Sequence, residues 1–282
     1  MKDQGRRQDD AQVDGEDHLA GAKGAAAENN AGNDGRAAGR GLPAIEELLE
    51  QAERLQRKAA GLRRGSGEPL HIGLNTDPGF LQVGAINRRL RHLNAEFNVI
   101  FISSETSHAP RLLRQGQLDL AFVYGRPSDP DLCCEPLAEV HFCIVIPPPL
   151  LQTRQEPDWE EVASLPWIWA EHSSLPYTAV LHEFTRRRLK PNRAVRAVDE
   201  FIVRQLVIEG QGVAVMREDE ALPLADDGTV SIWSKGWLRL PLSLIWLARN
   251  EKNQLLRLAR EAICELWSAR PSTAESRPGG FG

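Results

Sequence analysis

The chain has 282 residues, 41% of them hydrophobic, and 34 Lys+Arg stand against 39 Asp+Glu for a formal net charge of −5. That content supports a sizeable core in one large or two small domains, and the acidic balance argues against a stand-alone nucleic-acid binder, whose affinity is built from Lys and Arg neutralising phosphates. The basic residues near Met1 lead into no apolar stretch that would read as a secretory signal, and no window is long and apolar enough to span a membrane.

Residues 1–41 are dominated by Gly, Ala, Asn, Asp and Arg and hold only Val13 and Leu19 as larger aliphatics. Such a segment cannot bury enough surface to offset its ordering entropy, so a disordered tail is expected. The pattern changes at Leu42. Ile45, Leu48, Ala52, Leu55, Ala59 and Leu62 alternate at three and four residues, the seam of a helix that pairs with another helix. Pro43 suits its first turn, acids sit near its positive end and bases near its negative end, and Gly65-Ser66-Gly67 ends it. A linker and dimerisation helix is therefore expected over 42–66.

A globular part follows over 67–268. Residues 70–74 predict a strand, 79–94 a helix with Leu81, Ile86, Leu90 and Leu93 on one side, and 99–103 a second strand. Residues 108–115 predict a helix that Gly116 ends in a left-handed conformation, and 118–124 a buried apolar strand interrupted by Asp119, which is expected to satisfy buried backbone or a helix end. Short strand-helix-strand connections mean a parallel sheet with right-handed crossovers. Residues 132–146 are too long for an ordinary strand and end at Pro147-Pro148-Pro149, as expected of an extended segment passing from one lobe to another.

The second lobe is expected to hold a helix at 159–165, a strand at 167–170, a helix at 177–189 and a strand at 194–198. Asp199 then caps a helix that ends at Gly210, and 213–216 continue the sheet. Strands at 229–233 and 240–248 return to the first lobe, 253–267 close the fold as a helix, and 269–282 read as a second tail. The helix-Gly-strand unit LLRQGQLDLAFVY is echoed by LVIEGQGVAVM, which points to two α/β lobes: lobe I at about 67–140 and 234–268, lobe II at about 141–233. Two crossings between lobes permit hinge closure.

Cys133, Cys134, Cys143 and Cys264 show neither CxxC nor metal-ligand spacing, so a reduced, cytoplasmic compartment is expected, with the adjacent pair facing opposite sides of a strand. Enzyme motifs are missing: no GxSxG, HExxH or GxxxxGK[ST] occurs, the seven histidines are scattered, and Gly210-Gln211-Gly212 follows a helix where a dinucleotide fingerprint would open one. No catalytic residue, metal site or cofactor is expected.

Four segments in order, LLEQAERLQRKAAGLRR before LHIGL, then LLRQGQLDLAF, then VDEFIVRQLVIEGQGVAVM, then PLSLIWLAR, resemble the regulatory half of the LysR-type transcriptional regulators from about Leu42 to Trp267. The resemblance implies a dimerising linker helix, a two-lobed α/β fold of the periplasmic-binding-protein-like type 2 class, and a small-molecule effector held between the lobes, with signalling through a homodimer or tetramer. It also implies a winged helix-turn-helix before the linker, whose place residues 1–41 take. The expectation is accordingly a sensor that reaches DNA only if a helix-turn-helix is supplied upstream or in trans, for instance by pairing with an intact family member, and that has no membrane partner. A truncated product with no DNA binding of its own, or a solute-binding protein of the same fold, are the alternatives; the second lacks the export signal it would need. Gly84, Ala95 and Arg217 stand where the family often has proline.

Open α/β sheets bind ligands beyond their strand ends, where helix N-termini present free N–H groups suited to small carboxylates. The expected effector contacts are Thr76, Asp77, Ser103, Ser104, Thr106, Glu171, Ser173, Ser174, Asp199 and Phe201. By resemblance Thr106 and Ser173 or Ser174 match effector-contacting hydroxyls, and Asp77 stands where Ser or Thr is commoner. Helix capping without ligand contact is the competing role for each hydroxyl. Asp77, Glu105 and Glu171 would make the entrance partly acidic and favour an amino-acid-like effector, with a cationic or hydroxyl group beside its acid.

Overall fold

The computed structural model describes residues 69–95, 97–151, 156–170, 174–197 and 199–270. The expected tail over 1–41, the linker helix with its seam from Ile45 to Leu62, and all but the first two residues of the 269–282 tail lie outside them.

The first half is built as β1 (Leu70–Leu74), α1 (Val83–Leu93), β2 (Val99–Ser103), α2 (Ala109–Gln115) and β3 (Leu120–Tyr124). Both β2 and β3 pair in parallel with β1, as the short crossovers require. Gly116 caps α2 at φ 70°, and the chain turns at once into β3, whose five residues are all buried. Asp119 lies just before β3, where its carboxylate accepts from the His71 backbone N–H at 3.0 Å. The helix α1 starts later than its periodicity suggests. The Asp77 carboxylate accepts from Phe80 N at 2.7 Å and Val83 N reaches Pro78 O, so 77–82 form a separate turn, with Gln82 left-handed at φ 59°. Leu81, Ile86 and Leu90 are buried, whereas Leu93 is 42% exposed.

Two long antiparallel strands, β4 (Leu132–Ile146) and β8 (Ser231–Leu247), run through the whole molecule. Beside the first half, β3 pairs with β8; at the far end, β7 (Ala214–Arg217) pairs with β4, giving the sheet order β2-β1-β3-β8-β4-β7. The two strands expected at 229–233 and 240–248 are thus one. The polar Ser234-Lys235-Gly236 between them is a bulge: Cys143 pairs with Trp237 and Val145 with Ile232, so the extra residues loop out and pairing resumes. Cys133 packs against one core cluster and Cys134 against another on the opposite face.

The second half adds α3 (Trp159–Ser164), β5 (Pro166–Ala170), α4 (Leu175–Arg186), β6 (Asn192–Ala197), α5 (Glu200–Ile208), β7 and α6 (Glu218–Asp226). Asp158 and Glu161 close a reciprocal capping box on α3. A parallel β5-β6 pair is joined to β7 through Ile168 N→Val213 O at 2.9 Å and Val213 N→Pro166 O at 2.8 Å. Sequence reasoning missed α6, because Pro223 inside it breaks the helical pattern. Its first-turn acids Glu218, Asp219 and Glu220 are the signal that could have shown it. The closing α7 (Gln254–Ser268) is capped by Asn253, which accepts from Leu255 N and Leu256 N. One hydrophobic cluster is continuous through both halves, from Ile72 and Phe122 to Trp167 and Phe184. Among the described residues no helix is long and apolar enough to cross a membrane.

Candidate functional site

The apolar strand β7 ends on a cation. Arg217 is 3% exposed, and its guanidinium sits 4.4 Å above the Phe80 ring. A charge that deep persists only with partners. Its Nε donates to Asp219 Oδ1 at 3.0 Å, Nη2 donates to Glu220 Oε1 at 2.7 Å and Asp219 Oδ2 at 3.3 Å, and Nη1 donates to Thr76 Oγ1 at 2.6 Å and Glu200 Oε2 at 3.5 Å. Thr76 in turn donates to Glu200 Oε2 at 2.7 Å. The loop after β1 is thereby tied to the start of α5 and to the β7–α6 corner, so the cluster bridges the two halves.

Burial pushes the Glu200 carboxyl above its ordinary range, helped by Asp199 and Asp77 and opposed by the Thr76 bond and Arg217. Glu220 is raised chiefly by burial too, with Arg217 pulling the other way and Glu200, Asp219 and Asp77 adding repulsion. Burial and Glu200 likewise raise the Tyr124 phenol. The buried Tyr124 hydroxyl faces this group without a well-formed hydrogen bond among the described residues.

The raised carboxyls set the sign of a pH effect. Between the unfolded value near 4.5 and the higher folded value, the folded protein keeps a proton that the unfolded chain has lost. The contribution of Glu220 to stability is therefore greatest below that window and declines as pH rises through it. Glu220→Gln removes the decline. Its Tm relative to the parent should become more favourable from about pH 4 to about pH 7, as thermal unfolding across that range would show; a difference that becomes less favourable contradicts the assignment.

Of the expected site residues, Thr76 is in this cluster, while Asp77 and Asp199 lie close enough to act on its charges. Asp199 also caps α5 by accepting from Phe201 N at 2.7 Å, and Phe201 is 73% exposed. Ser103 is exposed at the end of β2, and Ser104 is buried with its hydroxyl unpartnered among the described residues. The Thr106 hydroxyl accepts from Tyr124 N at 3.1 Å and Asn75 Nδ2 at 3.4 Å, so it braces β3 against the β1 loop. Ser174 is the N-cap residue of α4 and lines two hollows, one of about 350 Å³ with Trp169, Arg193 and Arg196, the other of about 30 Å³ with Phe142, Glu200, Arg217 and Glu220. Glu171 and Ser173 lie outside the described residues.

Sequence reasoning missed Arg217, Glu200, Glu220 and Tyr124. Arg217 was visible only as a departure from an expected proline; its meaning, a cation ending a buried strand just before three acids, points to a local counter-charge.

A family model described as the LysR substrate binding domain matches residues 63–268. No curated protein matches the sequence. Among solved structures, the CcmR regulatory domain of Synechocystis PCC6803 in complex with 2-PG is similar at a TM-score of 0.62 and 13% identity, covering 72% of this chain and 99% of that one. The effector binding domain of QuiR in complex with shikimate gives a TM-score of 0.60 at 15% identity, over 72% and 98% of the two chains. Full-length LysG from Corynebacterium glutamicum with bound effector Arg gives 0.58 at 16% identity, over 80% and 76%. At such identities the likeness speaks to the fold: it is the two-lobed, periplasmic-binding-protein-like type 2 α/β class that the motif order implied.

Proposed function

The chain belongs to the family of LysR substrate-binding domains, matched over residues 63–268, and from that premise we propose that it is a regulatory sensor that binds a small-molecule effector in the crevice around Thr76 and Arg217. The observation that carries this reading is the Thr76–Arg217–Glu200 bridge, because it adds polar contacts across the crevice between the loop after β1 and the start of α5, beside the long strands that join the two halves. An effector that binds better to one spacing shifts the equilibrium by its differential affinity, and couplings of this kind are typically worth about 1–3 kcal/mol.

The similar domains of CcmR, QuiR and LysG were solved with 2-PG, shikimate and Arg respectively, which supports a small polar effector here, a small organic acid or an amino-acid-like molecule. In this reading Thr76, Asp77, Ser103, Ser104, Thr106, Ser174, Asp199 and Phe201, with Glu171 and Ser173, surround the effector. The chain senses rather than catalyses, works in the cytoplasm as a homodimer or tetramer or paired with an intact family member, and reaches DNA through a helix-turn-helix supplied upstream or in trans.

Calorimetry on the full chain against a panel of small carboxylates and amino-acid derivatives, with native mass measurement, tests this. Saturable heats lost in Thr76→Ala, from a dimer or larger species, are the expected result. A monomer that binds no member of the panel rules it out.

A further inference from the structure

An arginine has five N–H donors and no acceptor, and in Arg217 every one is spoken for: one by Thr76, one by Glu200, one by Glu220 and two by Asp219. The hollow against it, bounded by Phe142, Ser174, Glu200 and Glu220, is small, about 30 Å³, and shares Ala170, Ser174 and Tyr177 with the neighbouring hollow of about 350 Å³. Arg217 thus occupies the acidic end of the crevice, and a ligand takes those carboxylates only if Arg217 yields.

What can take its place follows from the charges left behind. Glu200, Asp219 and Glu220 contact Arg217, and Asp77 and Asp199 act on the same carboxylates. An anion would meet these acids and a guanidinium with no free donor. A cation with N–H groups would find the acceptors Arg217 releases. A second feature points the same way: Tyr124 is 4% exposed, and its hydroxyl, which makes no well-formed hydrogen bond among the described residues, faces Thr76, Arg217 and Glu200 with lone pairs to offer. Phe80 supplies a ring face on which a planar cation rests, as Arg217 does at 4.4 Å.

We propose that the crevice recognises an organic cation, a guanidinium, amidinium or substituted ammonium group, which displaces Arg217 from Thr76, Glu200 and Glu220. Arg217 is then a tethered stand-in for the effector that latches the two halves while the ligand is absent. This rests on the crevice being the effector site, and it narrows the effector to molecules that carry a positive charge.

The test uses the full chain and a matched pair of probes, benzamidine and benzoate, which share a ring and differ in the sign of the planar group, with agmatine as an aliphatic cation. Calorimetry and thermal shift should show benzamidine and agmatine binding and benzoate not. Glu200→Gln and Glu220→Gln should each weaken the cations about tenfold or more, since each removes a charge-assisted hydrogen bond. Arg217→Met should tighten them by a similar factor, because it deletes the internal competitor. If that variant does not fold, Arg217→Gln keeps polar contacts with the same loop but removes the internal cation, and should also tighten cation binding. Benzoate or other carboxylates that bind, and lose binding in Arg217→Met, overturn the cation while leaving the effector site in place. Cations that bind equally well to the Glu200 and Glu220 variants have another site, and the proposal falls. If no probe of either charge binds, nor any member of the effector panel, the effector reading falls with it.

Discussion

Trp167→Ala should be the most damaging single truncation in the second half, lowering stability by about 3–5 kcal/mol. The indole is 0% exposed, and its ring packs edge-on to Phe184 at 5.4 Å and at a tilt to Trp169 at 5.7 Å. Its Nε1 also donates to Val162 O at 2.9 Å, so one side chain pins β5 to α3. Truncation removes the apolar burial, opens a cavity that surrounding strands cannot fill, and leaves the Val162 carbonyl unpaired. Trp167→Phe separates these effects: it keeps most of the packing and loses the hydrogen bond, and should cost about 1–3 kcal/mol. Urea unfolding followed by circular dichroism measures both. A Trp167→Ala midpoint close to the parent's would mean the indole is not sealed in the core.

Where a feature is set by neighbours in sequence, it could be read in advance. The segment LLRQGQLDLAF carries helix, stop and strand in one run, and Gly116 adopts the φ of 70° that the stop needs. Asp199 was legible as a cap for the same reason, its side chain accepting from the Phe201 N–H two residues on; Asn253, placed in advance as the first residue of the closing helix, caps it in the same way. The errors arose where tertiary pairing overrides local signals. Ser234-Lys235-Gly236 looks like a turn, yet β4 holds pairing on both sides of it, and Gly236 admits the Ile144 side chain where a Cβ would lie 2.7 Å away. Pro223 looks like a helix breaker, yet α6 continues through it.

The site divides along the same line. Strand ends could be placed from the order of elements, and these led to Thr76, Asp77 and Asp199. What meets across the crevice could not. Thr76 and Arg217 are 141 residues apart, and their contact depends on how β4 and β8 register against β7 and β3 rather than on any local pattern. Thr106 shows the complementary difficulty: its hydroxyl, expected at the effector, also accepts from Tyr124 N and Asn75 Nδ2. Hydroxyl donors at helix starts serve backbone as readily as ligand, and sequence does not separate the two.

Two glycines two positions apart should respond to substitution for different reasons, and the contrast tests how β5 is joined to β7. Gly210 ends α5 at φ +74°, and a methyl group built on it meets nothing within 4 Å. Only its backbone conformation resists, so Gly210→Ala should cost about 1 kcal/mol, and Gly210→Asn less, because asparagine tolerates the left-handed region. Gly212 has no such conformation to protect. A methyl group there would lie 2.7 Å from the Pro166 carbonyl oxygen and 3.0 Å from Ile168 Cγ1. That carbonyl accepts from Val213 N at 2.8 Å, and Ile168 N donates back to Val213 O at 2.9 Å, so the obstruction falls on the bridge itself. Backbone cannot swing aside as a flexible side chain does, and Gly212→Ala should cost about 1–3 kcal/mol, the range typical of overpacking. Asparagine brings no relief, because steric room and not φ is what is lacking. Chemical denaturation of the four variants, Ala and Asn at each position, reads the difference: rescue by Asn at 210 and further loss at 212. Rescue at both would mean that the close approach of β5 to Gly212 is absent in solution, and with it the junction that carries the β5-β6 pair on the main sheet.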